Sequence, residues 1–118
     1  MIKEQRSFFK QGLSQDVDWR IQQLKKLEAA FLSYEDKILK ALEKDLGKAE
    51  FESYTSEVLI VKRTLRQHIK KTKTWSKTKR KRSNMLLFGK TSKVYTRPKG
   101  VVLIISPFNY PVQLSLVP

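Results

Sequence analysis

The most informative part of this chain is Arg97-Pro98-Lys99-Gly100-Val101-Val102-Leu103-Ile104-Ile105-Ser106-Pro107-Phe108-Asn109-Tyr110-Pro111. Within it, residues 101–105 are all apolar and mostly β-branched, a Pro-Lys-Gly turn precedes them, and a Ser-Pro pair ends them. A short, uniformly apolar run with such boundaries is typical of a strand that is buried on both faces. We therefore predict a buried strand over residues 101–105.

Two prolines enclose the loop that follows this strand. Pro107 and Pro111 stand on either side of Phe108, Asn109 and Tyr110. Because proline fixes its own φ and restricts the residue before it, the loop is expected to be stiff. Open α/β sheets bind ligands at the carboxyl ends of their strands, which is where this loop lies. The loop is thus the predicted functional site, although an asparagine in such a place can also serve only its own turn.

This region resembles the first dinucleotide-domain strand and the following loop of NAD(P)-dependent aldehyde dehydrogenases, most closely those of the class 3, fatty-aldehyde type. The residues that carry the resemblance are Gly100-Val101-Val102-Leu103-Ile104-Ile105, Pro107-Phe108-Asn109-Tyr110-Pro111 and Gln113-Leu114. Upstream segments fit more loosely but in the right order, so the resemblance covers essentially the whole chain. It implies an α/β fold in which long N-terminal helices and one edge strand precede the first strand of a Rossmann-like dinucleotide-binding domain. That domain is incomplete in this chain.

The resemblance also implies a reaction, the oxidation of an aldehyde substrate to a carboxylic acid with NAD or NADP as the cofactor. In this family a cysteine thiolate adds to the aldehyde carbon, and a tetrahedral oxyanion forms. Such an oxyanion needs a hydrogen-bond donor already in place, and loss of one donor typically costs about 3 kcal/mol of barrier. By its position in the motif, Asn109 matches this donor and is the implied catalytic residue. The motif matches Tyr110 to the wall of the aldehyde channel, and it matches the cofactor loop to Ile105, Ser106, Pro107, Phe108 and Asn109.

Other parts of the expected machinery are absent from these 118 residues. The sequence contains no cysteine, and its glycines, at positions 12, 47, 89 and 100, form no Gly-rich phosphate-binding turn. A buried apolar strand with open edges also invites aggregation or pairing with another chain. We therefore expect a truncated enzyme, either a fragment or the product of an interrupted reading frame, that donates one corner of an active site and is inactive alone.

The composition sets broader limits on the class of protein. A chain of 118 residues with 40% hydrophobic content is compatible with one globular domain. The absence of cysteine excludes disulfide bonds. No apolar run has the length of a membrane span, and the charged residues 1–10 do not resemble a signal peptide. We therefore expect a cytoplasmic location.

The formal net charge of +14 implies some affinity for polyanions. Much of this charge comes from residues 70–82, a basic run with Trp75 among the cations. The alternative function is therefore a small basic module that binds nucleic acid or anionic surfaces through residues 70–82. We favour a solvated helix end and connecting loop, because nucleic-acid-binding proteins usually add stacking aromatics or a recognition helix of known type. Weak polyanion binding is expected, and no dedicated nucleic-acid partner.

Three helices are predicted before the motif, over residues 2–13, 17–46 and 50–74. The second is a single long amphipathic helix that ends at Gly47, with apolar positions at Ile21, Leu24, Leu27, Phe31, Tyr34, Ile38 and Leu42. Its start has three candidate capping residues, Ser14, Asp16 and Asp18. The apolar positions of the third helix are Phe51, Tyr54, Val58, Val61, Leu65 and Ile69. The lone His68 is expected on the surface of this helix, and no metal site is predicted.

The segment between the basic run and the motif contains an edge strand, predicted over residues 93–97, and an aperiodic apolar patch over residues 85–89. In the family such a strand joins a small sheet that helps to build the dimer, so the resemblance implies a homodimer. A further alternative is a remnant that only pairs with full-length homologues through residues 91–97.

The chain is predicted to have three parts. Residues 1–82 are a helical portion of the cofactor-binding domain with a basic connector, and residues 83–98 are a loop with an oligomerisation-type strand. Residues 99–118 are the first buried strand and the active-site loop of the dinucleotide-binding domain.

Overall fold

The structure, a computed structural model, describes residues 1–81 and 91–118. These residues form a helix-rich fold with one small sheet. In chain order the elements are α1 (Ile2–Lys10), a 3₁₀ turn (Leu13–Gln15), α2 (Val17–Ser33), α3 (Glu35–Leu46), α4 (Glu50–Ser53), a π-helical segment (Tyr54–Val58), α5 (Leu59–Trp75), β1 (Lys79–Lys81), β2 (Ser92–Val94) and α6 (Pro111–Leu116).

The N-terminal helix is shorter than predicted, because the chain turns at Gly12. Gly12 adopts a left-handed φ of 84°, which a side chain with a Cβ would disfavour. Of the three candidate caps, Asp16 is the one that caps α2, since its Oδ1 accepts a hydrogen bond from the Trp19 backbone N–H at 2.6 Å. The Phe8 ring packs against the Trp19 ring with a centroid separation of 5.8 Å, which holds α1 beside α2.

The prediction of one uninterrupted helix over residues 17–46 is wrong, because the helix breaks at Tyr34. There the backbone has φ −103° and ψ 3°, outside the helical range, and a new helix begins at Glu35. The Ser33 hydroxyl donates to the Ala30 carbonyl at 2.8 Å, so it competes with the backbone N–H groups for that acceptor. Serine back-bonding of this kind bends helices. Two shorter helices therefore replace the predicted long one.

The third predicted helix is confirmed as an almost continuous helical run from α4 to α5, preceded by the predicted stop at Gly47. Gly47 ends α3 with a left-handed φ of 63°. Within the run, the segment Tyr54–Val58 is π-helical. A π turn holds one residue more than an α turn, so it rotates the side chains on either side of it relative to each other. Glu57 and Val58 are both fully buried in this segment.

The apolar core lies between α2 and the helical run from Tyr54 to Trp75. Its fully or nearly fully buried members are Phe31, Val58, Val61 and Leu65. All four are positions of the predicted amphipathic stripes, so the periodicity located the core correctly. Partly buried side chains complete it, and two of them, Val112 and Val117, belong to α6 or its end, which brings the C-terminal region onto the helices.

The two strands of the described residues pair antiparallel, with Lys79 opposite Val94 and Lys81 opposite Ser92. The edge strand predicted over residues 93–97 is thus observed, but it is shorter and shifted to Ser92–Val94. Its partner β1 was not predicted, because it lies in the basic run assigned to a helix end and a loop. Arg82, the apolar patch 85–89 and residues 83–90 of the predicted loop lie outside the described residues.

The buried strand predicted over residues 101–105 is not present in this chain. After Gly100, which turns with a φ of 97°, these residues have no strand assignment, and their side chains range from 39% exposed at Val101 to 85% at Ile105. A strand needs hydrogen-bonded neighbours, and the described residues supply no strand that pairs here. The first strand of the predicted Rossmann-like domain is therefore not formed.

Across the two described ranges, no helix combines the length and the apolar character that a bilayer crossing requires.

Candidate active site

The loop predicted as the functional site leads directly into α6. Pro111 is the first residue of that helix, where the fixed φ of proline is favourable and its missing N–H costs nothing. The Ser106 hydroxyl donates to the Pro107 carbonyl at 3.1 Å and lies 3.4 Å from the Pro111 carbonyl. Ser106 thus ties the beginning of the loop to its end, in agreement with the stiffness expected from the two prolines.

The backbone of Asn109 is held in place, whereas its side chain has no hydrogen-bond partner among the described residues. Its carbonyl oxygen accepts a hydrogen bond of 2.6 Å from Lys48 Nζ. The residue is exposed, and its carboxamide makes no hydrogen bond with any residue in ranges 1–81 and 91–118. An asparagine that served its own turn would use the side-chain amide locally. In this structure the amide is available to a ligand.

A buried ion pair supports the loop from the helices. Lys48 Nζ lies 2.8 Å from Glu57 Oε1, and the Glu57 side chain is fully buried while that of Lys48 is 11% exposed. The other Glu57 oxygen accepts the backbone N–H of Val112 at 2.8 Å and lies 3.4 Å from that of Gln113. These N–H groups belong to the first turn of α6, which has no intrahelical acceptors for them. The carboxylate therefore caps α6 and is itself fully paired.

The Tyr110 ring packs against the same lysine. Lys48 Nζ lies 4.0 Å from the ring centroid, within the range of a cation–π contact. Tyr110 is half-buried as a result, and its ring is held against the connection between α3 and α4. Lys48 therefore contacts two consecutive residues of the loop, one through the backbone and one through the ring.

Sequence reasoning missed both Lys48 and Glu57. Glu57 lies near the start of the third predicted helix, where an acidic residue suits the helix dipole and needs no further role. The sequence nevertheless contained a signal of burial. Glu57 is three positions after Tyr54 and four before Val61, so it lies on the apolar stripe of its helix. A carboxylate at a buried stripe position requires a partner. Lys48 carries no such signal.

An open apolar groove of about 380 Å³ lies beside the loop. It runs between α3 and the beginning of α6, and its lining residues are Ile38, Ala41, Leu42, Asp45, Leu46, Phe108, Pro111 and Val112. Two of the predicted cofactor residues face solvent, since Ile105 is 85% and Phe108 is 89% exposed. The loop thus presents exposed apolar side chains next to the free amide of Asn109.

Comparison with known proteins identifies the family. Residues 1–117 match the sequence profile of the "Aldehyde dehydrogenase family". The chain belongs to the aldehyde dehydrogenase family. The relatives are class 3 members, as the sequence motif indicated, and the match covers their N-terminal part.

Individual aldehyde dehydrogenases show how much of the family fold this chain represents. It is 42% identical over 115 residues to the 4,4'-diaponeurosporen-aldehyde dehydrogenase of Staphylococcus aureus, covering 98% of this chain and 25% of that protein. It is 35% identical over 118 residues to aldehyde dehydrogenase family 3 member H1 of Arabidopsis thaliana, covering 100% of this chain and 24% of that protein. The chain therefore spans about a quarter of the length of the curated relatives it matches.

A solved aldehyde dehydrogenase structure has the same fold over this part. The structure described as "Substrate bound state of Staphylococcus Aureus AldH" superposes with a TM-score of 0.90 at 41% identity. The match covers 97% of this chain and 25% of the other. Helices, loop and small sheet thus follow the arrangement of the N-terminal part of an aldehyde dehydrogenase.

Aldehyde dehydrogenases generally use NAD(P), so the predicted cofactor loop can be tested against the chemistry of that group. The loop offers the exposed apolar side chains of Ile105 and Phe108 and one hydroxyl, that of Ser106. These groups suit the flat nicotinamide ring and a ribose. Residues 105–109 contain no cation for the phosphates. The loop fits one end of the cofactor only.

The remaining candidates of the sequence lie away from this loop. The described part of the basic run, residues 70–81, contains the end of α5 and strand β1. The comparisons lend no support to a nucleic-acid or surface-binding module there. His68 is half-buried on α5, where Nδ1 lies 2.8 Å from the Thr64 carbonyl and the ring meets that of Trp75 edge-on at 5.1 Å. Its contacts are structural.

Proposed function

We propose that this chain forms the N-terminal part of an enzyme that oxidises aldehydes to carboxylic acids with NAD or NADP, and that Asn109 supplies the oxyanion donor. One observation carries the proposal beyond the family match. The Asn109 backbone is fixed by Lys48, while its carboxamide is exposed and unbonded among the described residues. A donor for a developing negative charge must be positioned in advance and must not be used by another acceptor.

The chemistry assigned to Asn109 is the stabilisation of a tetrahedral oxyanion. Addition of a thiolate to an aldehyde carbon turns the carbonyl oxygen into an oxyanion, and an amide N–H donates to it without any change of protonation state. These 118 residues contain no cysteine, so the thiolate comes from residues outside them. We therefore infer that the 118-residue chain alone does not oxidise aldehydes.

The rest of the loop is assigned to the cofactor and the substrate. The nicotinamide and ribose end of NAD(P) would be held by Ile105, Ser106, Pro107, Phe108 and Asn109, and the group would supply a hydride acceptor there. Tyr110 is assigned to a wall of the aldehyde channel. Two observations support this role: Lys48 fixes the Tyr110 ring, and the neighbouring residues Phe108 and Pro111 line an apolar groove.

A homodimer is the proposed assembly of the complete enzyme. Its support is the sheet of β1 and β2, whose strands have three residues each in the described part of the chain. A two-stranded sheet of this size is marginal in water, so pairing with further strands stabilises it. Residues 91–97 are the segment through which such pairing would occur.

A hybrid enzyme tests this function. In it, residues 1–118 of this chain replace the matching N-terminal part of the Staphylococcus aureus 4,4'-diaponeurosporen-aldehyde dehydrogenase, with the unmodified parent as the reference. We expect the hybrid enzyme to oxidise a fatty aldehyde such as decanal with NAD, followed by NADH absorbance. Asn109→Ala, and the isosteric Asn109→Asp, should lower kcat by about 10²- to 10³-fold.

Two results would contradict the proposal. One is a hybrid enzyme that melts cooperatively near the parent's temperature but produces no NADH. The other is an Asn109→Ala variant with an unchanged kcat. NADH production by the purified 118-residue chain would refute the inference that this chain is inactive alone.

A further inference from the structure

Lys48 and Glu57 connect three separate parts of the chain. Lys48 follows the left-handed turn of Gly47, Glu57 lies in the π-helical segment, and the residues they bind lie 55 to 61 positions further along. Lys48 Nζ contacts the carbonyl of Asn109, and Glu57 Oε2 contacts the N–H of Val112. The pair therefore holds the backbone on both sides of the Tyr-Pro dipeptide that begins α6.

The burial of Glu57 shows that this arrangement is specific. The side chain has no solvent exposure, and both of its oxygens are used, one by Lys48 and the other by the α6 amides. Burial of an ion pair is by itself weak evidence of a stabilising role, because desolvation offsets the attraction between the charges. Apolar residues of similar volume would serve the core equally well. The directional bonds to the loop are what apolar residues could not supply.

The π-helical segment determines where the Glu57 carboxylate points. Segment Tyr54–Val58 interrupts the α-helical ladder, and Glu57 belongs to it together with the buried Val58. Because a π turn contains an additional residue, it changes the direction of the side chains within it, and such turns are frequent at functional sites. Glu57 thus faces α6 while Val58, Val61 and Leu65 remain in the core.

We propose that Lys48 and Glu57 are positioning residues that hold the Asn109 carboxamide in the geometry its reaction requires. This inference rests on the proposed function, since it needs Asn109 to act on the oxyanion. Lys48 fixes the Asn109 carbonyl and the Tyr110 ring, and Glu57 fixes both Lys48 and the first amides of α6. The hydrogen bonds of both side chains to the loop go to backbone atoms and not to the carboxamide, so both act through the backbone.

A second lysine in this chain is a matched control. Lys62 also pairs with a glutamate, Glu35, at 2.9 Å, and it also lies over a tyrosine ring, that of Tyr54, at 5.3 Å from the centroid. Its contacts join α3 to the helical run and do not include the loop. Lys62→Met therefore removes a similar ion pair and ring contact without releasing Asn109.

The experiment measures kcat and KM in the hybrid enzyme with decanal and NAD, per active site and after a thermal melt has shown that each variant is folded. Displacement of a reacting group by about 1 Å can cost about a hundredfold in rate. We expect Lys48→Met to lower kcat by about tenfold to a hundredfold with little change in the KM for NAD. Lys48→Arg, which keeps a charged donor, should retain more kcat than Lys48→Met, and Lys62→Met should leave kcat unchanged.

The decisive variant combines Lys48→Met with Asn109→Ala. If Lys48 acts only through Asn109, its removal has no further effect on kcat once the carboxamide is gone, so the two losses are not additive. Glu57→Gln, which keeps the size of the side chain and one acceptor oxygen but replaces the other oxygen by an NH₂ group and loses the charge, should behave like Lys48→Met. If Glu57→Gln does not fold, the Lys48 variants still provide the test.

The two ways in which the experiment can fail are distinguishable. Equal losses from Lys48→Met in the unsubstituted hybrid enzyme and in its Asn109→Ala variant would overturn the positioning role while the proposed function stands. The same would follow if Lys62→Met lowered kcat as much as Lys48→Met. An unchanged kcat in Asn109→Ala would instead overturn the proposed function, and the positioning role with it.

Discussion

The ammonium group of Lys48 lies 2.6 Å from the backbone carbonyl oxygen of Asn109, although 61 positions separate the two residues. The contact joins the connection between α3 and α4 to the loop that begins α6. It is reinforced by Glu57, which binds Lys48 and the first amides of α6. The loop therefore has a defined position even though the residues before it form no strand.

Glu57 is expected to contribute more to stability than a partly exposed partner of a similar ion pair. Glu57→Ala removes the counter-charge of the largely buried Lys48 and leaves the amide of Val112 without its acceptor, which typically costs about 3–5 kcal/mol. Glu35→Ala breaks a pair whose glutamate is 22% exposed, and about 1 kcal/mol or less is expected. Urea unfolding of the 118-residue chain, followed by circular dichroism, measures both losses. Equal losses would contradict the role of Glu57.

The core position of Phe31 can be tested against a phenylalanine on the surface. Phe31 is 5% exposed and packs with Val58, Val61 and Leu65, whereas Phe51 is 80% exposed. Phe31→Ala should lower the free energy of unfolding by about 3–5 kcal/mol, because it removes buried apolar surface and leaves a cavity. Phe51→Ala should change it by about 0.5 kcal/mol or less. If Phe51→Ala lowered the free energy of unfolding as much as Phe31→Ala, Phe51 would have to be buried, which would contradict the structure.

The ion pair of Lys62 and Glu35 gives a defined pH dependence. The hydrogen bond to Glu35, which outweighs the opposing effect of desolvation, raises the pKa of Lys62 above its ordinary value of 10.5. Its contribution to stability is therefore complete below pH 10.5 and is lost as the pH rises through the higher pKa of the folded state. We expect the difference in unfolding free energy between the wild type and Lys62→Met to be constant from neutral pH to about pH 9. A decline of that difference within this range would contradict the assignment.

The apolar residues 101–105 should make the isolated chain prone to association. Leu103 is 82% and Ile105 is 85% exposed, and the run has high β propensity, no charge and no proline. Replacing both residues by lysine should reduce concentration-dependent association, which light scattering measures. Phe51→Lys, which changes an equally exposed residue elsewhere, is the control. If that control reduced association to the same extent, the effect would come from charge and not from this run.

Local sequence patterns predicted much of the fold. The spacing of Phe31, Leu42, Val58, Val61 and Leu65 identified the buried faces of the helices, because helical periodicity depends only on neighbouring residues. The stop at Gly47 followed from the conformational freedom of glycine. The break at Tyr34 did not follow, since it depends on a serine hydroxyl that competes for one carbonyl.

The sequence by itself determined the family motif, the apolar faces of the helices and the location of the candidate loop, because each is encoded in a short run of residues. Only the tertiary structure decided that residues 101–105 form no strand, that β1 pairs with β2, and that Lys48 and Glu57 hold the loop. The physical reason is the same in each case. A strand, a ladder and a buried ion pair exist only when distant parts of the chain supply the partner, and no local pattern records whether that partner is in reach.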